Sequence, residues 1–278
     1  MGKYIVVVII VILTAILAGI LPYAQTTNGQ EKSLVAVFDT FYSAELDAKE
    51  IAVCYLGGST FFLRTSEHVI LIDPAEKISS SDVPGIKRLD LILAARRDNE
   101  YHDLEVIRRI YQKTNSTILA DQLLYDEAID LLGDDIPSEK LRRIHSGEEL
   151  VLSGMSVLAI SSNGEGDGSL MFSISMDNLR IFHGHDLGFP EDETTTILSE
   201  ITTHAVAADV AIVAAEGSSE EELRTPLRII RALRPQIVVT MHGSLDEQNV
   251  LKTLIEGESK SIEVLIPERL WVYELVTT

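Results

Sequence analysis

The six residues Leu89–Ala94 constrain this chain more than any other stretch. Apart from Asp90 they are apolar, so they read as a strand buried on both faces. The strand breaks into seven polar or aromatic residues, Arg96 to His102, and a helix begins at Asp103. There Leu104, Ile107 and Tyr111 share one face at helical spacing. A doubly buried strand feeding a helix belongs to an α/β architecture, and such folds place their ligand sites in the loops that leave those strands.

The rest of the chain repeats this rhythm. Ile51–Leu56, Thr60–Arg64 and Val69–Ile72 are three β runs separated by Gly57-Gly58-Ser59 and Thr65-Ser66-Glu67. Thr117–Ala120 is a strand, and Asp121 caps a helix that ends at Gly133. The second half meanders again through Glu149–Leu152, Met155–Ile160, Ser169–Ser175 and Leu179–His183. It then alternates: helix Glu193–Thr203, strand Asp209–Ala214, helix Ser219–Leu233, strand Ile237–Met241 and helix Asp246–Glu256. Ile262–Ile266 and Leu270–Val276 close as strands. Meander followed by alternation, done twice, predicts two sheets packed face to face with helices outside.

Ile5 to Leu21 carries no charge, with Lys3 before it and Pro22-Tyr23 after it. Seventeen helical residues reach about 26 Å, just enough for a bilayer core. The reading favoured over a cleaved signal peptide is an uncleaved anchor, because a cut after Ala24 would put Pro22 at the −3 position. Residues 1–24 are thus expected to be anchor or signal, 25–50 a tether and lead-in, and 51–278 one domain. Lys3 should stay inside, which places the domain outside the cytoplasm as a single-pass membrane protein, or as a secreted one if the segment is removed. The formal net charge is −20, from 23 basic and 43 acidic residues. That excludes non-specific nucleic-acid binding, which runs on basic patches. Cys54 is the only cysteine, so it forms no intrachain disulfide. No feature specifies an oligomeric state.

Three other strands end in reactive residues: Ser161-Ser162-Asn163, His183-Gly184-His185-Asp186 and Met241-His242-Gly243. Four such ends can converge on one cleft. Together with Tyr55–Leu63, Ile70–Pro74 and Asp90–Leu93, their order and spacing from about Ile51 onward resemble the metallo-β-lactamase fold superfamily, in its lactonase-like hydrolase branch. The resemblance implies a four-layer αββα sandwich of two mixed sheets flanked by helices, here preceded by one N-terminal transmembrane helix. It also implies a zinc pair at the sheet edges.

The family's metal motif, His-x-His-x-Asp-His, falls on Arg96 to Tyr101. Arg96 replaces the first His, Asp98 the second, Glu100 the Asp and Tyr101 the last His. The bridging Asp matches Asp186 and the final His matches His242. A guanidinium stays protonated and cannot ligate, so the first subsite is expected to be lost. Glu100, Asp186 and His242 remain as a set for no metal or for one divalent ion, zinc foremost. Two readings follow. In one, the protein is a membrane-tethered binding or scaffold module whose Arg96 and Arg97 meet a small-molecule ligand. In the other, it is a single-metal hydrolase of an ester, lactone or phosphoester, with Asp98 or His185 as the proton carrier. His183 and His185 read as a satisfied strand-end pair, with a two-His metal pair as the alternative, and His102 could replace a missing ligand only by a one-residue slip. His68, His145 and His204 read as structural, without acidic partners at a useful spacing.

Overall fold

The apolar runs form strands because each can be buried on both faces, and their Gly, Pro and Asn-containing links fold as turns. A computed structural model describes residues 20–22, 33–74, 78–94, 103–133, 135–161, 170–184 and 191–277. It shows an α/β fold of two mixed sheets flanked by helices. The first sheet contains β1 (Ile20–Pro22), β2 (Glu50–Gly57), β3 (Thr60–Arg64), β4 (Val69–Ile72), β5 (Leu91–Ala94), β6 (Thr117–Ala120), β7 (Leu141–Arg143) and β15 (Trp271–Val276). Their order is β1-β15-β2-β3-β4-β5-β6-β7, with β4 to β7 parallel. The second sheet contains β8 (Glu149–Leu152), β9 (Met155–Ser161), β10 (Leu170–Met176), β11 (Leu179–His183), β12 (Val210–Ala214), β13 (Ile237–Met241) and β14 (Glu263–Leu265). They lie in the order β14-β13-β12-β11-β10-β9-β8, with β11 to β14 parallel.

The period of two along each strand sorts side chains between layers. Ile51, Val53, Phe61 and Leu63 face the second sheet and join Phe172, Ile174 and Ile181 in one core. Their neighbours Ala52, Cys54 and Phe62 face outward, under α1 (Leu34–Ser43), α2 (Leu104–Thr114) and α3 (Gln122–Leu132). The second sheet is covered by α4 (Glu191–Thr203), α5 (Arg224–Leu233) and α6 (Leu245–Glu258) through Ile197, Leu227, Ile230, Leu251 and Ile255. Cys54 is fully buried, and burial pushes its thiol up to about 12, which makes it an inert core residue.

The structure adds two elements to what the sequence predicts and changes two others. The lead-in before β2 contains α1, capped by Ser33, and Phe38 and Phe41 anchor it on Phe62 at ring distances of 4.9 and 6.0 Å. Burying each phenylalanine fully is worth roughly 1.5–3 kcal/mol. Helix α5 starts at Arg224 and not at Ser219. The intervening acidic residues fold as a turn because the Glu222 carboxylate accepts from the Ser218 amide at 2.7 Å and its hydroxyl at 3.0 Å. Strand β7 adds an edge that had no apolar periodicity to announce it. Finally, Ile20–Pro22 is strand β1, paired antiparallel with β15, so the last two residues of the uncharged run are not helical. Among the described residues no helix is long and apolar enough to cross a membrane. Residues 5–19, where the expected transmembrane helix would begin, lie outside them.

Candidate functional site

The parallel groups of both sheets deliver their C-terminal ends to one edge. In the first sheet, β4 ends at Ile72 with Asp73 just after it, β5 at Ala94, and β6 at Ala120 with Asp121 just after it. The Asp73 amide donates to Leu93 O at 2.9 Å, and its carbonyl accepts from Thr60 Oγ1 at 2.7 Å. The Asp103 amide donates to Pro74 O at 3.0 Å, so Asp103 lies beside the end of β4, as does Ala94 at the end of the neighbouring β5. Asp103 then caps α2 by accepting from the Glu105 and Val106 amides. In the second sheet the edge is formed by Ser161, His183, the Ala215-Glu216 turn after β12, and His242.

Ring contacts and backbone bonds join the two halves. Tyr55 stacks on Phe61 at 4.8 Å, and Phe61 meets His183 edge-on at 5.9 Å. Burial raises the Tyr55 phenol, while hydrogen bonding with the Gly58 and His242 backbone and the charge of Arg269 pull it down. Tyr55 therefore lies against the His242 loop, and the strand ends that the sequence picks out do converge.

His242 is held in an unusual backbone state. It has φ of 52°, and Gly243 follows at φ of 67°. A Cβ on Gly243 would sit 2.4 Å from Ala215 O, so only glycine fits. Ser244 caps α6 in a reciprocal box with Glu247, whose carboxylate also accepts from the Gly217 amide at 3.1 Å. These bonds hold the Glu247 carboxyl below its usual range. They also tie the β12 and β13 loops together. The result sets His242 Nδ1 3.9 Å from Glu216 Oε1, with the imidazole side chain only 10% exposed. Asp73 is the second left-handed residue at this edge, with φ of 46° and 1% exposure. Non-glycine residues in that region collect at functional sites.

Of the residues predicted from sequence, His242 and His183 are described and lie at the edge. Arg96, Arg97, Asp98, Glu100, His185 and Asp186 fall in segments outside the described residues, as do Tyr101 and His102. Asp73, Glu216, Tyr55 and Ser59 are additions that the structure supplies. Asp73 and Ser59 had a local signal, a polar residue closing an apolar strand and one following paired glycines. Glu216 had none. Two histidines read as lacking acidic partners have them: His68 Nδ1 is 2.9 Å from Asp177, and His204 is 3.7 Å from Glu200.

Of the residues expected to hold a metal, only His242 is described; Glu100 and Asp186 lie outside the described residues. Among the described residues no three His, Cys, Asp or Glu side chains gather as a metal cluster. The sequence puts Arg96 where the first subsite needs an imidazole, and a guanidinium cannot serve. A groove of about 380 Å³ between α5 and α6 is lined by Leu227, Ile230, Arg234 and Ile262. It lies at the start of β13, the end opposite His242, and is separate from this edge.

Comparison with known proteins agrees with the fold. Residues 52–242 match the family model described as a beta-lactamase superfamily domain. Similar structures include Igni18, a metallo hydrolase from the archaeon Ignicoccus hospitalis, with 18% identity over 82% of this chain and 100% of that one and a TM-score of 0.61. The metallo-beta-lactamase fold protein YhfI from Bacillus subtilis has 13% identity over 81% and 99%, with a TM-score of 0.58. CmlA, a diiron beta-hydroxylase from Streptomyces venezuelae, has 12% identity over 84% of this chain and 55% of its own, with a TM-score of 0.58. These identities establish a shared fold and no shared chemistry. No curated protein matches the sequence significantly. The match over most of the domain, the two mixed sheets and the convergent edge together mean that the chain belongs to the metallo-β-lactamase fold superfamily.

Proposed function

We propose that this is a membrane-tethered, extracytoplasmic metallo-β-lactamase-fold protein that has largely lost its dinuclear zinc site and acts as a binding module at the former catalytic edge. One observation carries the reading. The scaffold of the edge is intact, with Asp73, His183 and His242 on their strand ends, while the loop between Ala94 and Asp103 has Arg96-Arg97 in place of ligating imidazoles. Two cations entering a former metal loop suit an anionic ligand and repel a divalent ion. The uncharged run from Ile5 and the single preceding Lys3 support the tether and its orientation.

A second reading, a single-metal hydrolase of an ester, lactone or phosphoester, is favoured by the retained His242 with Glu216 beside its Nδ1. An outer carboxylate of this kind steadies a ligating ring. Glu100, Asp186 and His242 would be the holding residues, and Asp98 or His185 would carry the proton. The metal would supply a bound water of lowered pKa.

Elemental analysis of the full chain, purified in detergent without chelators, separates the two. The binding-module reading predicts zinc, iron and manganese each well below about 0.2 per chain, unchanged by His242→Ala. Close to one equivalent of any of them, lost in His242→Ala, overturns it and establishes the hydrolase set.

A further inference from the structure

The β2–β3 turn contributes a feature that neither reading uses. Ser59 is 1% exposed, and its hydroxyl has no hydrogen-bond partner among the described residues. A buried hydroxyl without a partner is costly, and such groups are uncommon in folded proteins. Ser59 lies in the turn that leads into β3, directly before Thr60, whose hydroxyl donates to Asp73 O at 2.7 Å. The Tyr55 phenol bonds the backbone of Gly58 beside it. Next to it, Gly58 has φ of 60° and open space where a Cβ would stand. The turn thus has open space beside Gly58 and the Tyr55 phenol bonded to its backbone.

Arg269 reaches the same place from the opposite strand. The Leu270 amide donates to Tyr55 O at 2.8 Å, and Trp271 pairs with Tyr55 across the sheet. Arg269 is exposed and has no ion-pair partner among the described residues. Many other cations of this acidic chain are paired, as Arg180 is with Asp209, Arg231 with Glu258 and Arg108 with Glu105.

We infer that Tyr55, Ser59 and Arg269 form an anion subsite at this edge, which takes a carboxylate or phosphate group of a small soluble ligand. The cation supplies charge, and the two hydroxyls supply directed donors to the oxygens of the group. In a protein of net charge −20 an anion needs such a local field to approach at all. The inference rests on the reading of this edge as a ligand site, and holds with or without a metal.

The test is calorimetric titration of the full chain in detergent with phenyl phosphate, benzoate and uncharged benzyl alcohol. One or both anions are expected to bind, weakening with added salt, and benzyl alcohol to bind at least about tenfold more weakly. Arg269→Gln should weaken the bound anion about tenfold. Ser59→Ala should weaken it severalfold while leaving the thermal midpoint unchanged or higher, because it removes an unpaired buried hydroxyl. A lower midpoint with unchanged affinity would make Ser59 merely structural and overturn its role. Equal binding by the Arg269→Gln variant and the parent overturns the subsite. If Arg96→Gln/Arg97→Gln abolishes anion binding while Arg269→Gln does not, the edge remains a ligand site and only this assignment fails. If no probe binds, both fail.

Discussion

Both nitrogens of His68 face acceptors: Nδ1 lies 2.9 Å from an Asp177 oxygen and Nε2 lies 2.8 Å from Ser153 O. An imidazole can satisfy both only by carrying two protons. Burial lowers its pKa, but the Ser153 carbonyl and the Asp177 carboxylate outweigh burial, and the net direction is up. For Asp177 burial raises the pKa, and bonds from Thr65, His68 and the Glu67 amide bring it below the usual range. The pair latches the β3–β4 turn of one sheet to the β10–β11 turn of the other. The raised histidine stabilises fully below the ordinary imidazole value of about 6.5 and loses its contribution as pH rises through its own higher value. The depressed aspartate stabilises above about 3.9 and loses its contribution as pH falls through its own lower value. The latch is therefore complete from about pH 4 to 6.5 and weakens beyond each end. His68→Gln should cost about 2 kcal/mol in urea denaturation at pH 6, and the deficit should shrink by pH 9. An equal deficit at both pH values would mean that His68 contributes as a neutral ring.

At the scale of elements, legibility followed apolar density. Strands such as β5, β6, β12 and β13 read directly because every residue in them is apolar or nearly so and is buried on both faces. Helix α1 has no decisive local signal, because Leu34–Ser43 mixes β-branched and aromatic residues that suit strands equally. Tertiary packing of Phe38 and Phe41 decides it. The site was half legible: His242 and His183 stand where their strands end, which a pattern can find. Glu216, Tyr55 and Ser59 come to this edge through the approach of one loop to another, which no local pattern encodes. Strand β1 adds a competition of its own. Ile20 and Leu21 pair with β15, which leaves only Ile5–Gly19 uncharged for a helix. Fifteen residues reach about 22 Å, short of a core of about 30 Å, so an anchor would need local thinning of the bilayer. The tether reading predicts an intact Met1 and carbonate-resistant membrane association when the native protein is fractionated and its N-terminus sequenced. A mature chain starting near Gln25 would remove β1, expose the β15 edge and contradict the tether.

Across the whole molecule, the family's fold is kept while the sequence of the loop after β5 departs from the family's metal motif. The sheets still bring Asp73, His183 and His242 to one edge, and the clamp of Gly243, Ser244 and Glu247 still fixes the last histidine. What the sequence places between Ala94 and Asp103 is a pair of arginines and not a pair of imidazoles. The central claim is that this edge binds without a tightly held metal. A metal present at 100 times its dissociation constant would stabilise the native state by about 2.7 kcal/mol, which for a domain of this size is a rise in midpoint of roughly 5–10 °C. The most direct measurement is the thermal unfolding midpoint of the full chain with excess zinc and with EDTA. The account predicts midpoints that agree within about 1 °C, and a zinc-dependent rise of several degrees that disappears in His242→Ala would contradict it.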